Sequence, residues 1–180
     1  MLTRANCSQC ASWNPLCCVI QHLILQEARI PMLTINTYLA PSPVHGIGLF
    51  AAEYIPAGSP VWKFSRYIDK IFKREIFLGI CSKLDNCSLY HLLNSSYARG
   101  GRYFYLTDNA RFINHSEEFA NICFADDFTE IALRDIQPHE ELLENYLQAY
   151  DKSDFFFYEQ QNSDPCQYIN SIQTVGMSHA

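Results

Sequence analysis

The 180-residue sequence has no apolar run approaching the roughly 20 residues that a membrane-spanning helix needs. Its opening, MLTRANCSQC, does not show the charged-then-apolar order of a secretory signal. There is no internal repeat and no low-complexity segment, which excludes repeat arrays. A basic excess is missing too. Thirteen Lys and Arg stand against nineteen Asp and Glu, a formal net charge of −6 without long blocks of one sign. General nucleic-acid binding needs a basic footprint and is therefore not expected, whereas a basic partner such as a lysine-bearing protein suits this balance. Regular strand–helix alternation is also absent, which argues against a doubly wound sheet.

What is present points to one domain with a sizeable core. Hydrophobic residues make up 48% of the chain, and 12 Phe and 11 Tyr with many β-branched neighbours favour strands. Of eight cysteines, Cys7, Cys10, Cys17 and Cys18 come early, while Cys81, Cys87, Cys123 and Cys166 are scattered in apolar contexts. Scattered single cysteines read as reduced core residues. The expectation is a soluble protein of a reducing compartment, cytoplasmic, with nuclear residence or export to a host cell left open.

Residues 1–31 differ from the rest. NCSQCASWNPLCC is small, polar and Cys-rich, and a short amphipathic segment follows. Cys7, Cys10, Cys17 or Cys18, and His22 could ligate zinc, but their spacing matches no strong pattern. A poorly ordered leader is expected, with the domain proper at 32–150 and a tail at 151–180. Within the domain, TINTYLA, LFAAEYI, PVWKFS, RYFYLT, NICFA and TEIALRD read as short strands, separated by Pro/Gly turns such as PSPVHGIG and PAGS. Residues 69–95 read as a helical insert, with apolar residues three and four apart and Asp85 as a candidate cap.

Single motifs are ambiguous. Gly46, Ile47 and Gly48 lack the third glycine and following helix of a dinucleotide fingerprint, although such a loop lets backbone approach a ligand. His115 and Cys123 are not accompanied by a nucleophile elbow. On an extended segment, Glu140 and Glu144 would share a face opposite Glu141, and the acids read as a solvated edge. The most unusual stretch is RFINHS at 111–116, which sets Arg111, Asn114, His115 and Ser116 in core-like surroundings. Half-buried polar groups must find partners, so this stretch either pins irregular backbone or holds a ligand.

HGIGLFA, YIPAGSPVWKF, ARFINHS and IALRDIQPHEELLENY occur in that order. Together, over roughly residues 34–150, they resemble the SET-domain family of protein lysine methyltransferases, in its small single-domain form. The resemblance implies a mainly β fold of short strands with a helical insert. It also implies a knot-like crossing of the RFINHS and EELLENY segments. It implies S-adenosylmethionine as cofactor, bound by Gly46, Ile47, Gly48, Arg111, Asn114, His115 and Tyr146. Tyr146 falls at the family's catalytic tyrosine. Tyr105, Phe124 and Glu144 would line the substrate-lysine channel, and the partner would be a lysine-containing protein such as a histone tail, with no nucleic acid and no membrane.

The departures are equally specific. Glu117 stands where many members have a zinc-ligating cysteine, and the tail carries only Cys166, so no zinc is expected there. His139 replaces the usual glycine before the paired acids, and Glu144 replaces an aromatic that often influences how many methyl groups are added. The FFFY cluster at 155–158 could pack over the site. The alternatives are a SET-like module that grips a protein without catalysis, and a metal-dependent interaction protein using the early cysteines.

Overall fold

The computed structural model describes residues 32–126 and 128–151. Every described residue lies in one compact unit. The early cysteines, the FFFY cluster and Cys166 lie outside the described residues.

Among the described residues, ten short strands carry the fold. β1 (Thr37–Pro41) and β2 (Ile47–Ala51) form an antiparallel hairpin. A five-stranded sheet has the order β3 (Pro60–Lys63), β9 (Thr129–Ala132), β8 (Ile122–Asp126), β10 (Leu143–Glu144), β7 (Asn114–His115). A three-stranded sheet has the order β4 (Lys70–Lys73), β6 (Arg102–Tyr105), β5 (Ser96–Arg99). The described residues are thus mainly β, as the sequence implied.

The helical insert is shorter than 69–95. It consists of α1 (Arg74–Cys81) and α2 (Asn86–Asn94), whereas residues 70–73 form β4 and pair with β6. KIFK is too short for its apolar pair to distinguish the two periods. Asp85 does cap α2, its Oδ1 accepting from the Ser88 N–H at 2.9 Å. The insert keeps its own core: Phe77, Leu78 and Cys81 of α1 meet Leu89 and Leu93 of α2, and Phe77 stacks on Tyr103 of β6 at 4.0 Å.

The main core lies around the five-stranded sheet and the hairpin, where Leu49, Ala51, Val61, Trp62, Ile122, Ile136 and Leu142 are fully buried. The strand that matters most is also the shortest. β10 pairs parallel with β7 on one side and with β8 on the other, Leu143 opposite Asn114, Glu144 opposite both His115 and Ile122. The sheet has few ladder bonds here, and Asn121 supplies the deficit. This residue is buried. Its backbone N–H donates to Leu143 O at 2.9 Å, its side-chain oxygen accepts from Leu143 N–H at 2.9 Å, and its Nδ2 donates to Glu141 O at 2.7 Å. The RFINHS and EELLENY segments therefore lie side by side, about thirty residues apart in the chain.

Candidate active site

The hairpin turn delivers the glycine loop. Ser42 Oγ accepts from the N–H groups of Val44 and His45 at 2.9 and 3.1 Å, and Gly46 closes the turn at φ 51°. The loop then meets the paired RFINHS and EELLENY segments through one side chain. Asn114 Nδ2 donates to Glu141 Oε1 at 2.8 Å, to His45 O at 3.0 Å and to Ile47 O at 3.3 Å. Glu141 Oε2 accepts from Ser42 Oγ at 2.9 Å. A Cβ on Gly48 would stand 2.1 Å from Glu141 Oε1, so any larger residue there requires Glu141 to move. Gly46, Ile47, Gly48 and Asn114, expected together, are brought together, and Glu141 is the hub that joins them.

The three acids thus do not form a solvated edge. Glu141 and Glu144 are buried, and Glu140 is half-buried in an ion pair with Arg134 at 2.5 Å. The alternation argument fails because residues 141–144 are buried on both faces, with a strand on either side of β10. In such a strand every side chain faces protein, and an acid there signals a bonded or functional group.

His115 and Tyr146 also meet. The backbone N–H of Tyr146 donates to His115 Nδ1 at 3.0 Å, and the rings lie 5.2 Å apart. Burial lowers the His115 pKa from its ordinary value, so the imidazole is neutral and Nδ1 acts as acceptor. Asn145 caps the short helix α3 (Tyr146–Ala149), accepting from Leu147 N–H at 3.0 Å. The Tyr146 hydroxyl donates to the Ile113 carbonyl. Arg111 lies beside these groups on the wall of a cavity of about 30 Å³, with Ser96, Tyr97, Ile113, Tyr146 and Tyr150. The Ser96 and Tyr97 hydroxyls are buried without a hydrogen-bond partner. A cavity of this size holds about one water molecule, which would complete the orphaned hydroxyls beside Arg111.

Behind Tyr146 lies an aromatic layer around buried acids. Tyr150 stacks on Tyr97 at 4.7 Å and lies 4.9 Å from the Tyr146 ring. Phe124 meets Tyr97 at 5.8 Å and Tyr150 at 6.3 Å, and the Arg99 guanidinium stands 4.4 Å over the Phe124 ring. Glu144 accepts from the Tyr150 hydroxyl through Oε2 at 2.5 Å, while Oε1 has no hydrogen-bond partner. Glu130 of β9 is buried as well, with Oε2 unpartnered. Burial pushes the Glu144 carboxyl up to about 7, against the opposing effects of Tyr150 and Arg99. Burial, then the nearby Glu144 charge, raises Glu130 well above the carboxylate range. Phe124 and Glu144 line a second cavity of about 430 Å³. Tyr105 is not brought to this layer: its hydroxyl meets His91 Nε2 at 3.3 Å on the insert side.

Asn121, Glu130, Tyr97 and Tyr150 were not singled out by sequence reasoning, and Glu141 was read only as part of a solvated edge. Glu130 alone left a signal, an acid inside the apolar strand TEIA. Among the described residues no group of three or more His, Cys, Asp or Glu could hold a metal ion.

The described residues thus bring a glycine loop, the RFINHS segment and the EELLENY segment together, with Tyr146 where they meet. The SET-domain family profile matches residues 46–147, more than half of the chain, and the chain belongs to that family. One solved structure agrees on the fold. The chain aligns with polycomb repressive complex 2 of Chaetomium thermophilum, in an autoinhibited conformation bound to S-adenosylmethionine, at TM-score 0.50 and 20% identity, over 66% of this chain and 16% of that one. A crystal structure of the same complex gives TM-score 0.48 and 21% identity over the same shares. A candidate histone methyltransferase of Plasmodium falciparum gives TM-score 0.43 and 17% identity, over 63% of this chain and 94% of that one. The chain thus spans less than a fifth of the polycomb chains it matches. Comparison with curated proteins finds no match.

Proposed function

We propose that this chain transfers a methyl group from S-adenosylmethionine to a lysine side-chain amine of a protein, with a histone tail as the first substrate to test. The observation that carries the reading is the junction at Asn114 and Tyr146. There the glycine loop, the RFINHS segment and the EELLENY segment meet, as a SET-domain methyl transferase requires. Gly46, Ile47 and Gly48 would offer backbone groups to the cofactor, and Arg111, Asn114 and His115 would hold its amino-acid and adenine parts. When bound, S-adenosylmethionine supplies an electrophilic methyl on a sulfonium.

The chain's own residues do the rest. The Tyr146 hydroxyl donates a hydrogen bond to Ile113 O, which fixes the ring beside the small cavity that it lines. An oxygen so held can accept contacts from a polarised methyl and orient an amine without being consumed. Phe124, Tyr97 and Tyr150 exclude water from the neighbouring space, and alignment of the reacting atoms supplies much of the rate.

The test is incubation of the full chain with methyl-labelled S-adenosylmethionine and a panel of histones and cell lysate, with mass spectrometry of labelled lysines. Calorimetry with S-adenosylhomocysteine runs beside it. Labelled lysine is expected. Absence of both label and binding would overturn the reading. Binding without label on any protein would favour the non-catalytic module, a reading to which the substitution of Glu144 for the family's aromatic lends weight.

A further inference from the structure

We propose that Glu141 is a positioning residue for the cofactor: by holding the Asn114 amide nitrogen it turns the Asn114 carbonyl oxygen outwards, as the acceptor for a primary ammonium group. This rests on the methyl-transfer reading above and deepens it, since Glu141 has no role there.

The hydrogen-bond directions fix the amide. Asn114 Nδ2 faces three acceptors, Glu141 Oε1 at 2.8 Å, His45 O at 3.0 Å and Ile47 O at 3.3 Å. Turned over, the amide would set its carbonyl oxygen against a carboxylate and two carbonyls, none of which can donate. The carboxylate is fixed in turn. Ser42 Oγ already accepts from the N–H groups of Val44 and His45, so its one hydrogen goes to Glu141 Oε2 at 2.9 Å. Glu141 thus accepts through both oxygens, as a carboxylate does. The other end of the amide is open. Asn114 Oδ1 makes no hydrogen bond and keeps surface exposed to solvent.

What that oxygen meets follows from its chemistry and its surroundings. A carbonyl oxygen only accepts, so its partner is a donor. Glu141 is 7% exposed and, among the described residues, has no lysine or arginine within ion-pair reach. A buried carboxylate is ordinarily paired with a cation, and here two neutral donors hold it instead. Its charge is felt through the amide. A carboxylate on the N–H side polarises the carbonyl on the far side and makes it a stronger acceptor. A donor that is itself charged gains most from such an oxygen, and the amino-acid end of S-adenosylmethionine carries a primary ammonium. Gly48 completes the arrangement. A Cβ there would stand 2.1 Å from Glu141 Oε1, so glycine lets the loop close on the carboxylate that orients the amide.

Two measurements test this on the full chain. In the first, calorimetry compares S-adenosylhomocysteine with its desamino analogue, which lacks only the ammonium group, on wild type and Glu141→Gln. Wild type is expected to bind S-adenosylhomocysteine at least about tenfold more tightly than the analogue, the contribution of one charge-assisted hydrogen bond. A glutamine presents one acceptor oxygen where the carboxylate presents two, so it cannot serve both Asn114 and Ser42. In Glu141→Gln the ratio should therefore fall towards one, with affinity for the analogue little changed. A merely structural residue would weaken both ligands alike, and a ratio that stays at its wild-type value overturns the proposal. In the second, the Asn114 side-chain carbonyl carbon of wild type is followed by carbon-13 NMR, assigned through its own backbone, so the result does not depend on the variant folding. Ethylammonium chloride should shift it progressively, whereas tetramethylammonium chloride, a cation without N–H donors, should leave it in place. This readout stands even if the chain binds neither nucleoside, which would sink the methyl-transfer reading alone. A carbon that ignores ethylammonium, or that responds to both cations alike, overturns the acceptor.

Discussion

Two residues of the proposed site, Tyr146 and Gly48, each offer a clean substitution. Tyr146→Phe keeps the ring that packs 4.9 Å from Tyr150 and removes only the hydroxyl bonded to Ile113 O. Cofactor affinity should hardly change, while turnover should fall at least about a hundredfold, about 2.7 kcal/mol of transition-state stabilisation. A loss confined to KM would make Tyr146 a ground-state contact, and near-normal turnover would remove it from the chemistry. Gly48→Ala probes the other side of the site. The new methyl group collides with Glu141 Oε1, and that carboxylate cannot swing away without breaking its bonds to Asn114 and Ser42. Overpacking of this kind costs about 1–3 kcal/mol. The variant should melt earlier and bind S-adenosylhomocysteine more weakly, since the loop and Asn114 move together. An unchanged melting curve would mean that the Glu141 hub is soft.

At the scale of elements, the loop before β10 shows how a family position can change residue and keep its shape. His139 adopts φ 70°, the left-handed region that favours glycine, and its Nδ1 pairs with the Tyr38 hydroxyl at 3.0 Å. The strain is thus offset by a side-chain contact that glycine could not make. His139→Ala keeps the strain and loses the contact, so it should be less stable than wild type by about 1 kcal/mol or more, whereas His139→Gly should recover part of that loss. Thermal melting of the three proteins gives the order, and an alanine variant as stable as wild type would refute the account. The same region shows what the sequence could reveal. NICFA and TEIALRD were legible as strands because each is bounded by turn residues. β5 was not, since SYAR has no alternation and owes its conformation to pairing with β6. RFINHS announced itself because four polar side chains in an apolar setting demand partners. Glu141 and Glu144 did not, because periodicity sorts inside from outside only when a strand has an outside.

For the whole molecule, the acids buried between the sheet and the aromatic layer set the pH response of stability. Glu144 moves from an ordinary 4.5 up to about 7 on folding, and burial drives the shift. A carboxyl whose folded pKa is raised binds its proton more tightly in the native state. Its contribution is therefore fully present below the unfolded value and is lost as pH rises through the folded one. Glu130 acts in the same direction. His115 acts in the opposite direction: burial lowers its pKa, so its contribution is present above its ordinary 6.5 and is lost as pH falls. A single melting curve against pH mixes these signs, but Glu144→Gln separates them. The glutamine amide does not ionise, and His115 is common to both proteins. Relative to wild type, the variant should gain melting temperature steadily between pH 4.5 and about 7, and the difference should level off above that range. The gain exceeds what Glu144 alone contributes, because removing its charge also relieves Glu130. Parallel curves for the two proteins across this window would mean that the native state already solvates the pair. The cavity beside Phe124 would then be wet in solution, and Glu144 would be an ordinary carboxylate.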